Sequence, residues 1–340
     1  MVKREDFQKV FFDTIKQRLP KHISVVHEIA ELLEISYDSA YRRLRGDKDL
    51  TIDELQKLSS KYKISVDSVF GYDNIDIHFH PFVMDTQQDG FVAWLKLRLL
   101  EVQKIYDSGT KELIMVARDL PIYYYFDFPE LAAFKIYFWK KLLLHHPEYH
   151  DRKFNISERS FDILEVGSKL LSMYNRIPSI EIWCQETFTR IMRQIDFCSI
   201  SGLFMHTNDA VILYEKLEIL IRHLQYQTEQ GCKFHYGAAV TDNEEENFKI
   251  FVNEILLIDN TAFVQRDGKK ILFMTHNSLD VLLTSNPLFC NQVEHALRII
   301  MKTGTHISGT SALECNRYFN SIYAKLEEYK KNSVSSRFIL

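Results

Sequence analysis

The chain has 340 residues, 46% of them hydrophobic and 26% charged, with a formal net charge of −4 at pH 7. That profile is ordinary for a soluble globular protein and leaves room for two or three domains. Only 11 Gly and 7 Pro are present, and neither a P-loop nor a G-x-G-x-x-G run occurs, which argues against a Gly-rich nucleotide-binding fold and against a disordered chain. The five cysteines (Cys184, Cys198, Cys232, Cys290, Cys315) form no C-x-x-C pair, so neither a disulfide framework nor a zinc knuckle is expected. No apolar run is long enough to cross a membrane, and residues 1–20 hold no apolar signal core. A reduced, cytoplasmic protein without cofactor or metal is the expectation.

In chain order, the first 72 residues read as five helices. Phe7, Val10, Phe11, Ile15 and Leu19 share one face at helical spacing, and Pro20 marks the end. Ser24 is placed to cap a second helix with the stripe Val25, Ile29, Ala30 and Leu33. Ser36 is placed to cap a third, running Tyr37 to Arg45 and stopping at Gly46, where a left-handed turn is cheap. Thr51 and Glu54 form a capping-box pattern for a fourth helix with Leu55 and Leu58 inward. Ser65 opens a last short turn through Val66, Val69 and Phe70, closed by Gly71. Residues 73–88 read as a linker, within which Ile75, Ile77 and Phe79 alternate with Asp76, His78 and His80 before Pro81.

Residues 89–230 read as mainly helical, with helices near 90–107, 129–146, 158–174, 180–197 and 207–229 and a buried strand at 112–117. From 232 to 275 the pattern turns to strands, at 248–258, 261–265 and 270–275, the last two joined by the turn signal Asp267-Gly268. Helices near 288–302 and 310–331 close the chain. The expected fold is an all-α five-helix domain over 1–72, followed by an α+β region over 89–340. That region is expected to be mostly helical with a small antiparallel sheet, as one body or as two lobes, 89–230 and 231–340.

The densest chemistry lies between Val26 and Arg45. Ala30 is small where two helices must approach, a short turn passes through Glu34 and Ile35, and Ala40 is small on the helix that follows. Two helices joined this way cross steeply and present the second one outward. A helix of that diameter fits the major groove of B-DNA.

On these residues the segment 5–71 resembles the Cro-repressor-like (XRE) helix-turn-helix family, with its lambda-repressor-like five-helix fold. Ile35-Ser36 stands before the recognition helix and Gly46 after it. The trailing elements Thr51-Ile-Asp-Glu-Leu55 and Ile64-Ser-Val-Asp-Ser-Val-Phe-Gly71 belong to the five-helix version. Two positions depart from the pattern: Glu34 stands where the family turns on Gly, and Arg43 where an apolar residue is common. Leu44 is the residue available to make the core contact instead.

The resemblance implies that Tyr37, Asp38 and Arg42 face base edges, with Tyr41 nearby. Arg42 suits a bidentate contact to guanine and Asp38 can accept from a cytosine amino group. Ser36, Arg43, Arg45 and Lys48 suit phosphates, which fix position but read no sequence. The plain alternative is a solvated helix face, with Asp38 complementing the helix dipole and the tyrosines packing on neighbours. One bidentate contact discriminates by about 1–3 kcal/mol against the ~4–10 kcal/mol of a specific site, so a homodimer on a two-fold operator is expected.

Other candidates read as structural. His27-Glu28-Ile-Ala-Glu31 begins like a zincin motif but lacks the second histidine. His78 with His80, and His145, His146 and His150, have no completing ligand at motif spacing. The aromatic run Tyr123-Tyr124-Tyr125-Phe126, continued by Phe128, Phe134, Phe138 and Trp139, reads as core or as the wall of a small-ligand pocket. No H-x-K-(x4)-D nuclease pattern and no G-x-S-x-G elbow is found.

Three functions follow. The first is a sequence-specific transcriptional regulator, not an enzyme, whose C-terminal region dimerises or senses a small-molecule or protein effector. The second is a nucleic-acid-targeted enzyme with a degenerate nuclease-like domain, needing convergent groups such as His235, Asp259 and His276. The third is a protein-binding module. It is kept open by the near-neutral first 72 residues, which carry 13 Lys and Arg against 12 Asp and Glu.

Overall fold

The computed structural model describes residues 4–335 apart from 20–22, 67–68, 70–76, 78, 83–89, 239–245, 256–258, 277–278 and 310. The chain divides into two compact units, Met1–His78 and Phe79–Leu340.

In the first unit α1 (Arg4–Arg18), α2 (Val25–Leu33), α3 (Tyr37–Arg45) and α4 (Ile52–Tyr62) enclose one core. Phe11, Ile15, Ile29, Ala40 and Leu58 are fully buried, and Ile64 and Val69 close it from the C-terminal side. The expected fifth helix falls largely on residues outside the described set. Two expectations for the first helices change. Val10 is 45% exposed, and its neighbour Phe12 is buried instead. Ser24 occupies the N-cap of α2 with extended backbone, yet its side chain makes no capping bond. The Thr51–Glu54 capping box is complete in both directions.

The second unit is built on one eight-stranded sheet, not a small one. Its strands are β1 (His80–Phe82), β2 (Lys111–Ala117), β3 (Ser179–Trp183), β4 (Phe248–Val252), β5 (Thr261–Arg266), β6 (Lys269–Thr275), β7 (Val281–Thr284) and β8 (Thr305–His306). Their order is β1-β7-β6-β5-β2-β3-β4-β8. β3 pairs in parallel with both β2 and β4, and the other pairings are antiparallel, so the sheet is mixed. β2 and β3, from the helical half of the sequence, sit between β5 and β4. A division into lobes at residue 230 therefore does not describe this unit.

Side chains alternate across a strand, and here both sides are covered. On one face Leu113, Met115, Trp183, Ile250 and Val264 join the main core. That core is shared with α5 (Gly90–Tyr106), α6 (Pro129–Phe138), α7 (Phe161–Asn175), α8 (Glu186–Ile200), α9 (Asp209–Gln230) and α11 (Ala312–Ser335). On the other face Ile114, Val116, Ile182, Phe263 and Leu272 pack on Cys290, Leu297 and Met301 of α10 (Pro287–Thr303).

The helix expected at 180–197 begins only at Glu186, because Ser179–Trp183 is the central parallel strand β3. Its middle residue, Glu181, is fully buried. A buried carboxylate needs donors, and Glu181 has three: the hydroxyls of Tyr124 and Tyr174, and Trp183 Nε1 at 2.7 Å. The strand expected near Phe79 is displaced to His80–Phe82, where it pairs with β7 at the sheet edge.

Candidate nucleic-acid interface

α2 and α3 are joined by the turn that the sequence placed at Glu34. This residue has φ 55° and ψ 45°, the left-handed conformation that glycine adopts most cheaply. Its backbone N–H donates to Glu31 O and that of Ile35 to Ala30 O, closing α2. Ser36 then starts α3, its Oγ accepting from Ser39 N at 3.3 Å. Gly46, at φ 82°, ends it.

Ala40 is fully buried and Leu44 packs partly against the core, so the opposite side of α3 faces outward. Tyr37, Asp38, Tyr41, Arg42 and Arg45 recur on that side at helical spacing, and all are exposed, Tyr37 by 56% and Tyr41 by 51%. The Arg45 guanidinium lies 5.0 Å from the Tyr41 ring centroid and 2.6 Å from Asp47 Oδ2. The Tyr37 ring sits 5.6 Å from that of His27 on α2. Ser36 and Lys48 are exposed at the two ends of the element.

Arg43 differs from the other candidates. It is 3% exposed, and its guanidinium grips Glu54 of α4 through Nε to Oε2 at 3.0 Å and Nη2 to Oε1 at 2.5 Å. A further bond runs from Nη1 to Ser39 O at 3.0 Å. The Arg43 side chain holds the Glu54 carboxyl below the usual carboxylate range, with burial opposing and Thr51 N–H assisting. Arg43 is thus a fixed strut inside the unit, and its assignment as a phosphate contact is corrected.

Two supports of α3 were not legible as such. Gln8 on α1 donates from Nε2 to Arg43 O (2.7 Å) and Lys48 O (2.8 Å), and its Oε1 accepts from Leu50 N (3.0 Å). One nearly buried amide therefore pins the end of α3 and the loop after it. Lys9 and Lys16 of α1 line, with Arg45, a concavity of about 870 Å³ that also holds Asp13 and Asp47. Neither lysine sits in the helix-turn-helix pattern, so only the packing of α1 brings them into view.

Residues 6–100 match the BetR domain. It is a family of helix-turn-helix-like DNA-binding domains. The match covers the α1–α4 bundle from Asp6 onward and runs on through β1 into α5, past the expected boundaries at residues 72 and 88. No curated protein and no solved structure matches the chain. Among the described residues, no helix is long and apolar enough to cross a membrane.

In the second unit the residues named for a nuclease-like site meet separate partners. His235 Nδ1 lies 2.8 Å from Asp127 Oδ1 and its Nε2 2.8 Å from Ser172 Oγ. That hydroxyl also lies 2.8 Å from Ser168 O one turn back in α7, and Asp127 Oδ2 accepts from Tyr236 N, so the group clips residues 235–236 to α7. Asp259 pairs with Arg118 at 3.2 Å, and His276 bonds through its backbone to Asp280. His78 lies outside the described residues. Most of the aromatic run is core, Tyr124, Tyr125, Phe126 and Phe134 being buried, while Tyr123 and Trp139 line a cavity.

Proposed function

We propose that the chain is a sequence-specific DNA-binding transcriptional regulator, in which the outward face of α3 enters the major groove. The observation that carries this reading is the joint one. A BetR match covers the segment, and within it the exposed face of α3 bears Tyr37, Asp38, Tyr41, Arg42 and Arg45. Arg42 is the base reader in this reading, bidentate to guanine, with Asp38 accepting from cytosine. Ser36, Arg45 and Lys48 meet phosphates, joined by Lys9 and Lys16. Arg43 and Gln8 hold α3 at its angle without touching DNA.

The second unit supplies dimerisation and effector sensing, and no catalytic step is assigned to it. A single α3 offers too few base contacts for the ~4–10 kcal/mol of a specific site, which is why two copies on a two-fold site are part of the proposal. Selection of genomic DNA fragments by the purified full chain tests it. The expected outcome is an enriched motif with two-fold symmetry. Enrichment of no sequence over input would overturn the reading, and a flat salt dependence of partner binding would favour the protein-binding alternative.

A further inference from the structure

Beneath the helical layer of the second unit lies a cavity of about 240 Å³. At ~30 Å³ per water this is the scale of about eight waters, or of a single-ring organic molecule. Its walls are aromatic and aliphatic. Trp139, Tyr123, Tyr174 and Phe273 line it, with the Tyr123 and Tyr174 rings 4.3 Å apart. Tyr174 is held from behind by Glu181, and Tyr123 donates to Met115 Sδ at 2.8 Å. Tyr174 is thus fixed by a bond made behind the wall, and Tyr123 by one to another wall residue.

The polar groups of the cavity are unequal. Asp119 is already taken by Lys135, at 2.7 and 3.0 Å. Trp94 and Arg98 stand one turn apart on α5 and both line the space. Trp94 is 6% exposed, and its indole N–H has no acceptor among the described residues. The Arg98 guanidinium lies 5.1 Å from the Trp94 ring. Burial pulls Arg98 down to about 10 despite the acidic Glu101 and Asp280 that face it. Both groups are donors only. A buried donor left unmet, as the Trp94 N–H is among the described residues, is costly, and a carboxylate can accept from it while also meeting the guanidinium beside it.

We propose that this cavity is the binding site of a small aromatic carboxylate, its ring against the wall formed by Tyr123, Tyr174 and Trp139 and its carboxylate on Trp94 Nε1 and Arg98. The inference gives a chemical class to the effector in the function proposed above. Its test uses no DNA, so failure here is distinct from failure of the DNA reading. Trp94 and Arg98 also fall inside the BetR match.

The test is ligand binding to the full chain, read by tryptophan fluorescence, since two of the three tryptophans line the cavity. The probes are benzoate, phenylacetate, 4-hydroxyphenylacetate and indole-3-acetate, each paired with its uncharged amide. At least one acid is expected to bind saturably, its amide about tenfold or more weaker. Arg98→Gln should lose about tenfold in acid affinity, and Trp94→Phe, read by calorimetry, should also weaken it. Ala262→Phe, which fills the space from β5, should abolish binding while circular dichroism and melting stay close to those of the parent. The proposal is overturned if no acid binds up to millimolar concentration, if acids and amides bind alike, or if folded Ala262→Phe binds as the parent does.

Discussion

Arg43 shows how one residue type serves two ends on a single helix. Arg42 and Arg45 point to solvent, while Arg43, between them, is buried in a bidentate pair with Glu54. Removing one member of a buried pair strands the other, which typically costs about 3–5 kcal/mol. Arg43→Ala should therefore weaken hydrogen-exchange protection of α3 and α4 in the full chain by about 3 kcal/mol, and Arg43→Met with Glu54→Gln should recover most of it. Unchanged protection in Arg43→Ala would show the pair to be dispensable. Because the Glu54 carboxyl is held below its ordinary value, this stabilisation is complete above about pH 4.5 and is lost as pH falls through the lowered value.

Lys233 gives the same sign over a higher pH range, and for a different reason: burial, not an ion pair, lowers its value. It is fully enclosed, donating to Ile177 O and Ser179 Oγ, and burial pulls its amine down to about 7 against the nearby Glu181. Unfolded, the amine keeps its proton to ~10.4. Between these values the unfolded chain binds a proton that the folded chain does not, so this group's contribution to stability rises with pH. In urea unfolding, the stability of the parent relative to Lys233→Met should increase from pH 7 to pH 10. A difference that stays flat would contradict the assignment.

At the scale of elements, the helix-turn-helix was legible because each device is local. Small residues at the crossing, the Ser36 cap, Gly46 and the Thr51–Glu54 box all act within a few positions of themselves. The departure at Glu34 did not change the turn; it made the chain adopt the same left-handed geometry with a side chain that disfavours it. A left-handed non-glycine residue costs roughly 1–2 kcal/mol, so Glu34→Gly should raise protection of α2 and α3 by about 1 kcal/mol. Lower protection would place a favourable contact at Glu34 that outweighs the strain.

What was not legible depends on distant partners. Arg43 and Gln8 look like surface residues until α4 and α1 are packed beside them. β3 was hidden by Glu181, whose charge breaks an otherwise apolar run and whose donors come from Tyr124 and Tyr174, far off in sequence. β7 and β8 are short elements that exist through pairing, β7 between β1 and β6 and β8 on β4 at the sheet edge.

For the whole molecule, charge is the point on which the readings divide. The chain is net negative, and its first 72 residues are almost neutral. DNA binding then rests on where cations stand. Lys9, Lys16 and Arg45 line one concavity together with Asp13 and Asp47, and Arg42 and Lys48 are exposed on the same unit; in the function proposed above these five cations meet the DNA. Each phosphate that such a residue neutralises releases counterions and steepens the dependence of affinity on salt.

The most direct test measures the affinity of the full chain for its selected duplex across a salt series, beside Arg42→Ala and Arg45→Ala with folding checked by circular dichroism. The account predicts a steep log–log slope, an overall loss of affinity in both variants, a slope shallower by about one in Arg45→Ala, and relaxed base preference in Arg42→Ala. A slope near zero, or both folded variants binding as tightly and selectively as the parent, would contradict it.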